Sequence, residues 1–201
     1  LNALDFETFQ VNIPTLGNTH PYQQIPFQFS IHSLDKDSGK VNHYDYLHQS
    51  DSDPREFIAQ FLVEYMPKEG TILAYNSKFE AQVCQELATM FPQYAEALTS
   101  IINRLEDPWL LLKDHLYHPA FKSSYSLKSI APVLLGKEQD YKNLVIKDGL
   151  QAQEAYAKLI KTTNIMEKIE LNGHLRTYCG ADTYNLILLF FFLSKSTNYS
   201  I

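Results

Sequence analysis

Several features that define other protein classes are scarce in this chain. Its 201 residues include two cysteines, Cys84 and Cys179, too few for a disulfide framework, and both lie among apolar residues. We therefore expect buried free thiols in a reducing, cytoplasmic setting. The longest apolar run, residues 186–193, is far shorter than the roughly 20 residues of a membrane-spanning helix. No membrane association is expected.

Positive charge is also scarce. The formal net charge is −6, which argues against a surface that is basic all round. The lysines are unevenly spread, because residues 121–147 contain five lysines and only two acidic residues. A local cationic segment is compatible with a nucleic-acid substrate, although a solvated lysine face explains any single lysine equally well.

Sequence motifs for several kinds of site are missing as well. The chain has only seven glycines and lacks a glycine-rich loop for a phosphate group. Its paired histidines, at 115 and 118 and at 43 and 48, lack companion cysteines or acids at zinc spacing. The carboxylates are therefore the main candidates for chemistry.

What the chain does have is the composition of a globular domain. Hydrophobic residues make up 45% and charged residues 20%, and the length suffices to bury a core. We expect one domain over residues 1–201. Because the sequence begins at Leu1 with a strand starting at once, we also expect this domain to be excised from a longer protein with further domains.

The pattern of apolar residues predicts an α/β fold. Strands are expected at residues 1–6, 24–34, 41–47 and 71–75, with an early hairpin between the second and third. Helices are expected at residues 54–66, 77–90, 94–105, 126–135, 149–160 and 165–193, the last either continuous or broken near Gly173. Residues 108–117 suit a short strand or a helix. Together these elements predict a mixed sheet of about five strands, covered by helices on both faces.

Two acids lie on the first predicted strand. Side chains alternate along a strand, so Asp5 and Glu7 share one face while Leu4 and Phe6 point into a core on the other. An exposed strand face would explain the acids without any function. A central strand is covered on both sides, however, and acids there need water, a cation or hydrogen-bond donors. The two interpretations are evenly balanced.

A third acid, Glu80, lies just after a predicted strand. Ser77 and Glu80 have the spacing of a helix capping box, and that local explanation is the stronger one. If Asn76 caps the helix instead, the Glu80 carboxylate is free to take part in a functional site. Its position past the end of a strand, where α/β proteins usually build their sites, favours function.

The fourth acid, Asp182, continues the apolar face of the last predicted helix. Tyr178 lies four residues earlier on the same face, which continues through Leu186 and Leu189. An aspartate on such a face is costly to bury unless it meets a cation or donors, so we prefer a functional site. The alternative is a capped or ion-paired residue in the first turn of a helix that begins near Gly173.

These segments, in this order, resemble the three motifs of the DEDD superfamily of 3′–5′ exonucleases. The motifs are Asp5-x-Glu7, then Asn76-x-x-Phe79-Glu80, then Tyr178-x-x-x-Asp182, and they extend over nearly the whole chain. The tyrosine branch is implied, because the histidine branch has histidine where this chain has Thr177. Segments such as 21–32 and 121–132 are further similar to an uncharacterised bacterial family assigned to that superfamily. One departure is Glu80, where the usual motif has aspartate.

The resemblance implies a ribonuclease H-like fold and a two-metal-ion exonuclease that acts on single-stranded DNA or RNA 3′ ends. It implies two Mg²⁺ or Mn²⁺ ions held by Asp5, Glu7, Glu80 and Asp182, and a Tyr178 hydroxyl that orients the attacking water. It further implies that Thr8 and Phe9 meet the terminal nucleotide. The remaining candidate substrate contacts are Asn76, Lys122, Ser123, Ser124 and Lys128.

Two rival hypotheses stay open. In the first, the chain is a nuclease-fold module with weak or no catalysis that binds nucleic acid or a protein partner. The glutamate at position 80 and the acidic net charge favour it, and the four other motif residues oppose it. In the second, the acids only cap helices and form ion pairs. That hypothesis predicts carboxylates more than about 10 Å apart, too far for a two-ion site.

Overall fold

Five strands form one mixed sheet in the computed structural model, which describes residues 1–196. In chain order the strands are β1 (Asn2–Phe9), β2 (Ile25–Leu34), β3 (Val41–Leu47), β4 (Ile72–Leu73) and β5 (Leu105–Glu106). They are arranged as β3-β2-β1-β4-β5, so β1 is central. The pairs β1–β2 and β2–β3 are antiparallel, whereas β4 is parallel to both β1 and β5. This α/β arrangement is consistent with a ribonuclease H-like fold.

Seven helices surround the sheet in the described part of the chain. They are α1 (Arg55–Tyr65), α2 (Lys78–Met90), α3 (Ala95–Ile102), α4 (Pro108–His115), α5 (Leu127–Leu134), α6 (Gly149–Leu159) and α7 (Ile165–Ser196). None of these seven combines the length and the apolar character that crossing a bilayer requires.

Both faces of the sheet are covered, as the sequence predicts. On one face, Leu4 and Phe6 of β1 pack with residues of α1, α2 and α3 in a wholly apolar cluster. On the other face, Ala3 and Phe27 pack against α5, α6 and α7. Asp5 and Glu7 lie on this second face, because side chains alternate along β1.

Polar side chains of β2 fix where α7 lies against the sheet. Gln28 is fully buried and donates through Nε2 to the Leu175 carbonyl at 3.1 Å. The Thr183 hydroxyl lies 2.8 Å from Ser30 Oγ and 2.8 Å from His32 Nδ1. Buried polar groups lose free energy unless they are paired, so these contacts favour one axial position of α7 over its neighbours. That position brings the middle of α7 opposite β1.

The structure corrects several expected boundaries. The fifth strand is Leu105–Glu106, whose first residue the sequence prediction places at the end of a helix, and residues 108–115 form a helix begun by Asp107 and Pro108. The strand β1 continues to Phe9, three residues beyond its predicted end. The last helix is continuous through Gly173. The missed strand is two residues long, too short for an alternating pattern to be visible.

Candidate metal centre

The first two acids of the site come from β1. Glu7 is buried and Asp5 is half-buried, on the face that α7 covers. Ligand-capable atoms of Asp5, Glu7 and Cys179 all lie within 4.8 Å of one another. The Cys179 thiol of α7 donates a hydrogen bond to Asp5 Oδ2 at 3.6 Å, so α7 contacts the middle of the strand at this point. The exposed-face explanation for these acids is therefore wrong.

Asp182 and Tyr178 extend from the middle of α7 towards the same place. Both are buried, as are Leu175, Leu186 and Leu189 on the same helical face. Because α7 continues through this region, the explanation of Asp182 as a first-turn cap is wrong. Its Oδ1 atom instead accepts a hydrogen bond from the Tyr141 hydroxyl at 2.5 Å, which in turn accepts from Asn185 Nδ2 at 3.1 Å.

Glu80 is freed for the site because another residue caps its helix. The capping box is absent: the Ser77 side chain makes no cap hydrogen bond, and its backbone N–H donates to Asp107 Oδ2 at 3.1 Å. The Asn76 N–H donates to Asp107 Oδ1 at 3.1 Å, and Asn76 itself has a φ of 63°. Glu80 is only 2% exposed, and its Oε2 has no hydrogen-bond partner among residues 1–196. An unpartnered buried carboxylate oxygen is costly unless a cation meets it.

The four carboxylates are close enough to perturb one another electrostatically. Burial, followed by the charge of Asp182, raises the pKa of Glu7 to about 8. Burial also raises the pKa of Glu80 to about 8, with Asp107 and Asp182 adding to the shift. The pKa of Asp5 is raised well above its usual range by burial and by the other three acids. Burial raises the pKa of Asp182 to about 6, opposed by the Tyr141 hydrogen bond and Lys128.

One cation faces this cluster. Lys128, at the start of α5, donates through Nζ to the Tyr178 hydroxyl, and its charge lowers the pKa of both Glu7 and Asp182. The nitrogen also lies 4.7 Å from the centre of the Tyr178 ring and 5.7 Å from that of Tyr141. A single ammonium among residues 1–196 cannot balance four ionised carboxylates, so without a metal ion the raised pKa values of Asp5, Glu7 and Glu80 keep these acids protonated.

Two residues that the resemblance assigns to the terminal nucleotide lie at the end of β1. The Thr8 hydroxyl donates a hydrogen bond to Gln24 Oε1 at 2.6 Å, so the Thr8 side chain already has a partner within the protein. Phe9 is half-buried, with its ring centre 5.6 Å from that of Tyr156. It lines a cavity of about 300 Å³ together with Val11 and Leu16.

The other expected substrate contacts are more scattered. Asn76, Lys122 and Ser123 are exposed, and both Lys122 and Ser123 have positive φ, at 50° and 64°. Ser124 instead belongs to a hydroxyl cluster with Ser126 and Ser129 at the start of α5. Of this group, Lys128 contacts the motif residue Tyr178 through its side chain.

Sequence reasoning overlooks three residues of the site. Asp107 precedes a proline, a pattern typical of a helix start, but its second role in capping α2 depends on tertiary structure. Asn185 shares a face of α7 with Asp182, and the three-residue spacing is a usable signal. Tyr141 lies in a short 3₁₀ turn with no recognisable motif, so only the structure reveals its bond to Asp182.

The donor set fits hard divalent cations. Carboxylate oxygens are the ligands that Mg²⁺ and Mn²⁺ prefer, and the free Oε2 of Glu80 is available for such an ion or its hydration shell. Burial and the adjacent acids raise the pKa of the Cys179 thiol well above its usual range. It therefore stays protonated as a donor to Asp5, and the carboxylates are the ligands that this site offers.

Comparison with known proteins places the chain in a family. The model of a domain of unknown function, DUF2779, matches residues 2–126. The chain belongs to the DUF2779 family. The match includes three of the clustered acids, Asp5, Glu7 and Glu80, and ends two residues before Lys128. The uncharacterized protein MG366 of Mycoplasma genitalium is 28% identical over 209 aligned positions, which cover 94% of this chain. The chain spans 31% of the length of that relative. No solved structure matches.

Proposed function

We propose that this DUF2779 domain is a metal-dependent 3′–5′ exonuclease that hydrolyses phosphodiester bonds at single-stranded nucleic-acid ends. One observation carries the proposal: three buried carboxylates (Glu7, Glu80 and Asp182) and the half-buried Asp5 come close enough to raise one another's pKa, and one of their oxygens has no partner among the described residues. Such a concentration of negative charge costs stability without divalent counterions. Proteins retain costly clusters of this kind mainly where they do chemistry.

The proposed roles follow from position. Asp5, Glu7, Glu80 and Asp182 would hold two Mg²⁺ or Mn²⁺ ions, which would supply charge neutralisation at the phosphodiester and activation of the attacking water. Tyr141 fixes the Asp182 carboxylate through its hydroxyl. Burial and Glu7 raise the pKa of Tyr178, so its hydroxyl stays protonated and is able to orient the nucleophile by hydrogen bonding.

The surroundings of the acids support a nucleic-acid substrate. Phe9 shares the strand face of Asp5 and Glu7, and the surface of the cavity beside it is mainly apolar, with Val11, Leu16 and Tyr156 contributing and polar side chains such as Ser50 and Gln153 also lining it. A stacked terminal base fits such a lining, because aromatic rings hold unpaired bases without sequence preference. We further propose a cytoplasmic setting, which the two free, buried cysteines support.

The decisive experiment follows oligonucleotides labelled at the 5′ or the 3′ end, in single-stranded DNA and RNA, with Mn²⁺ or with chelator. We expect a ladder of shortened 5′-labelled products and immediate release of a labelled mononucleotide from the 3′ end. Chelator should abolish both. Tight binding of the oligonucleotide without any cleavage would instead support the rival function, a nuclease-fold binding module.

A further inference from the structure

Lys128 occupies an unusual position for a lysine. It lies in the first turn of α5, half-buried, and its side chain crosses to α7 to donate a hydrogen bond to Tyr178. The ammonium lies beyond the hydroxyl end of the Tyr178 ring, 4.7 Å from its centre, and 5.7 Å from the centre of the Tyr141 ring. Cations at such distances from aromatic faces are attracted to them, more strongly where water is excluded. The hydrogen bond to Tyr178 and the ring of Tyr141 together hold the ammonium group in place.

The hydrogen bond restricts what Tyr178 can do. An ammonium group has only donors, so the Tyr178 oxygen must be the acceptor. The hydroxyl proton of Tyr178 then points away from Lys128. Since the charges of Glu7 and Asp182 both interact with Lys128, the acids lie near the same hydroxyl. Lys128 thus fixes the direction in which the Tyr178 hydroxyl donates its hydrogen bond.

We propose that Lys128 is a positioning residue that fixes Tyr178 as a hydrogen-bond donor towards the reacting phosphodiester. The inference deepens the proposed function and rests on it. It differs from the role suggested by sequence, in which Lys128 contacts a substrate phosphate directly. A direct phosphate contact acts mainly on binding, whereas a positioning residue acts on the chemical step through Tyr178.

A double-mutant cycle distinguishes the two roles. We expect Lys128→Met to lower kcat by about 10- to 100-fold with little change in KM, because a misdirected catalytic group costs rate rather than binding. Lys128→Met combined with Tyr178→Phe should be no slower than Tyr178→Phe alone. Lys128→Arg, which keeps the charge and the donor, should recover most of the rate. Lys137→Met is the matched control: Lys137 is an exposed lysine nine residues later to which no role in the site is assigned, and we expect no change in kcat.

Additive losses in the double variant, with a raised KM and a weaker salt dependence, would overturn the proposal in favour of a phosphate contact. A readout independent of activity keeps the two proposals separable. In protein labelled with ¹³C at tyrosine Cζ, the resonance absent from Tyr178→Phe belongs to Tyr178, and Lys128→Met should shift it. An unshifted resonance would refute the positioning role even in an active enzyme. A shifted resonance in a protein that cleaves no oligonucleotide would support the contact between Lys128 and Tyr178 and would contradict the proposed nuclease activity instead.

Discussion

The two faces of β1 are built from one strand, yet they differ in almost every physical respect. On one face, Leu4 and Phe6 enter a large cluster of buried apolar side chains. On the other, Asp5 and Glu7 face a helix whose buried residues include Asp182 and Thr183. The first face gains free energy from removing apolar surface from water, whereas the second loses it by burying charge.

Within residues 4–7, the side chains on one face therefore serve stability and those on the other face serve chemistry. The apolar face needs no partner beyond the chain itself. The acidic face is balanced only in part, by Lys128 and by hydrogen bonds such as that from Tyr141 to Asp182. Substitutions on the two faces should therefore have opposite signatures, one in the free energy of unfolding and the other in catalysis.

Asp5→Asn should have the largest effect, on activity alone. Removing one charge from the centre of the cluster should lower the rate of hydrolysis by about 10³-fold or more, because charge stabilisation at the reacting centre is lost. The metal-free protein should melt close to the wild type, since the raised pKa of Asp5 already keeps this side chain protonated and neutral there. Paired nuclease assays and thermal melts measure both, with the exposed Asp37→Asn as the charge-matched control. Unchanged turnover would remove Asp5 from the mechanism.

Leu4→Ala should produce the reverse signature. The side chain is fully buried, so its truncation should lower the free energy of unfolding by about 2–5 kcal/mol. At a temperature well below the melting point, kcat should stay close to that of the wild type. Urea denaturation gives the stability, and a rate measured on the folded fraction gives kcat. A large fall in kcat of folded Leu4→Ala would show that the two faces are coupled.

Much of this fold could be predicted because the strands β2 and β3 and most helices have clear apolar periodicity. The alternation in residues 25–34 and the four-residue repeat from Tyr178 to Leu189 are direct consequences of what each element buries. The strand β5 could not be predicted in the same way. Its two residues form a strand only because β4 lies beside them, and such pairing leaves no local signal.

The site shows the same division between local and tertiary information. Asp182 could be identified because a charge on an apolar helical face violates a local rule. Glu80 could not be separated from a capping residue, since the residue that replaces it in capping, Asp107, is 27 positions away in sequence. Tyr141 and the contact between Lys128 and Tyr178 depend on how a loop and a helix meet α7, which no spacing encodes.

The stability of the metal-free protein should depend on pH because of the acidic face. With pKa values raised to about 8, Glu7 and Glu80 keep protons in the folded state that the unfolded chain has already released. The unfolded state then binds fewer protons, so the free energy of unfolding should fall as pH rises from 6.5 to about 8. Below pH 6.5 the opposite trend enters, because burial lowers the pKa of His32 to about 4.

Thermal melts in chelator at pH 6.5, 7.5 and 8.5 measure this slope, and Glu80→Gln should flatten it. Millimolar Mn²⁺ should raise the melting temperature by several degrees, and more at pH 8.5 than at pH 6.5, since the ion binds the deprotonated acids. An equal shift in Glu80→Gln would mean that Glu80 lies outside the ion site. Absence of any shift in the wild type would count against a metal centre altogether.

The smallest expected effect concerns Asp107, the residue that sets where α2 begins. Its carboxylate accepts hydrogen bonds from the N–H groups of Asn76, Ser77 and Trp109 at 3.0–3.1 Å, so it caps α2 and α4 together. Asp107→Ala should cost about 1–2 kcal/mol in the free energy of unfolding, the usual range for a lost cap. Asp107→Asn, which keeps one acceptor oxygen, should cost less. Because Glu80 lies in the first turn of α2, Mn²⁺ affinity should weaken in the same order. A stable Asp107→Ala variant with weakened Mn²⁺ binding would mean that this cap serves the site rather than the fold.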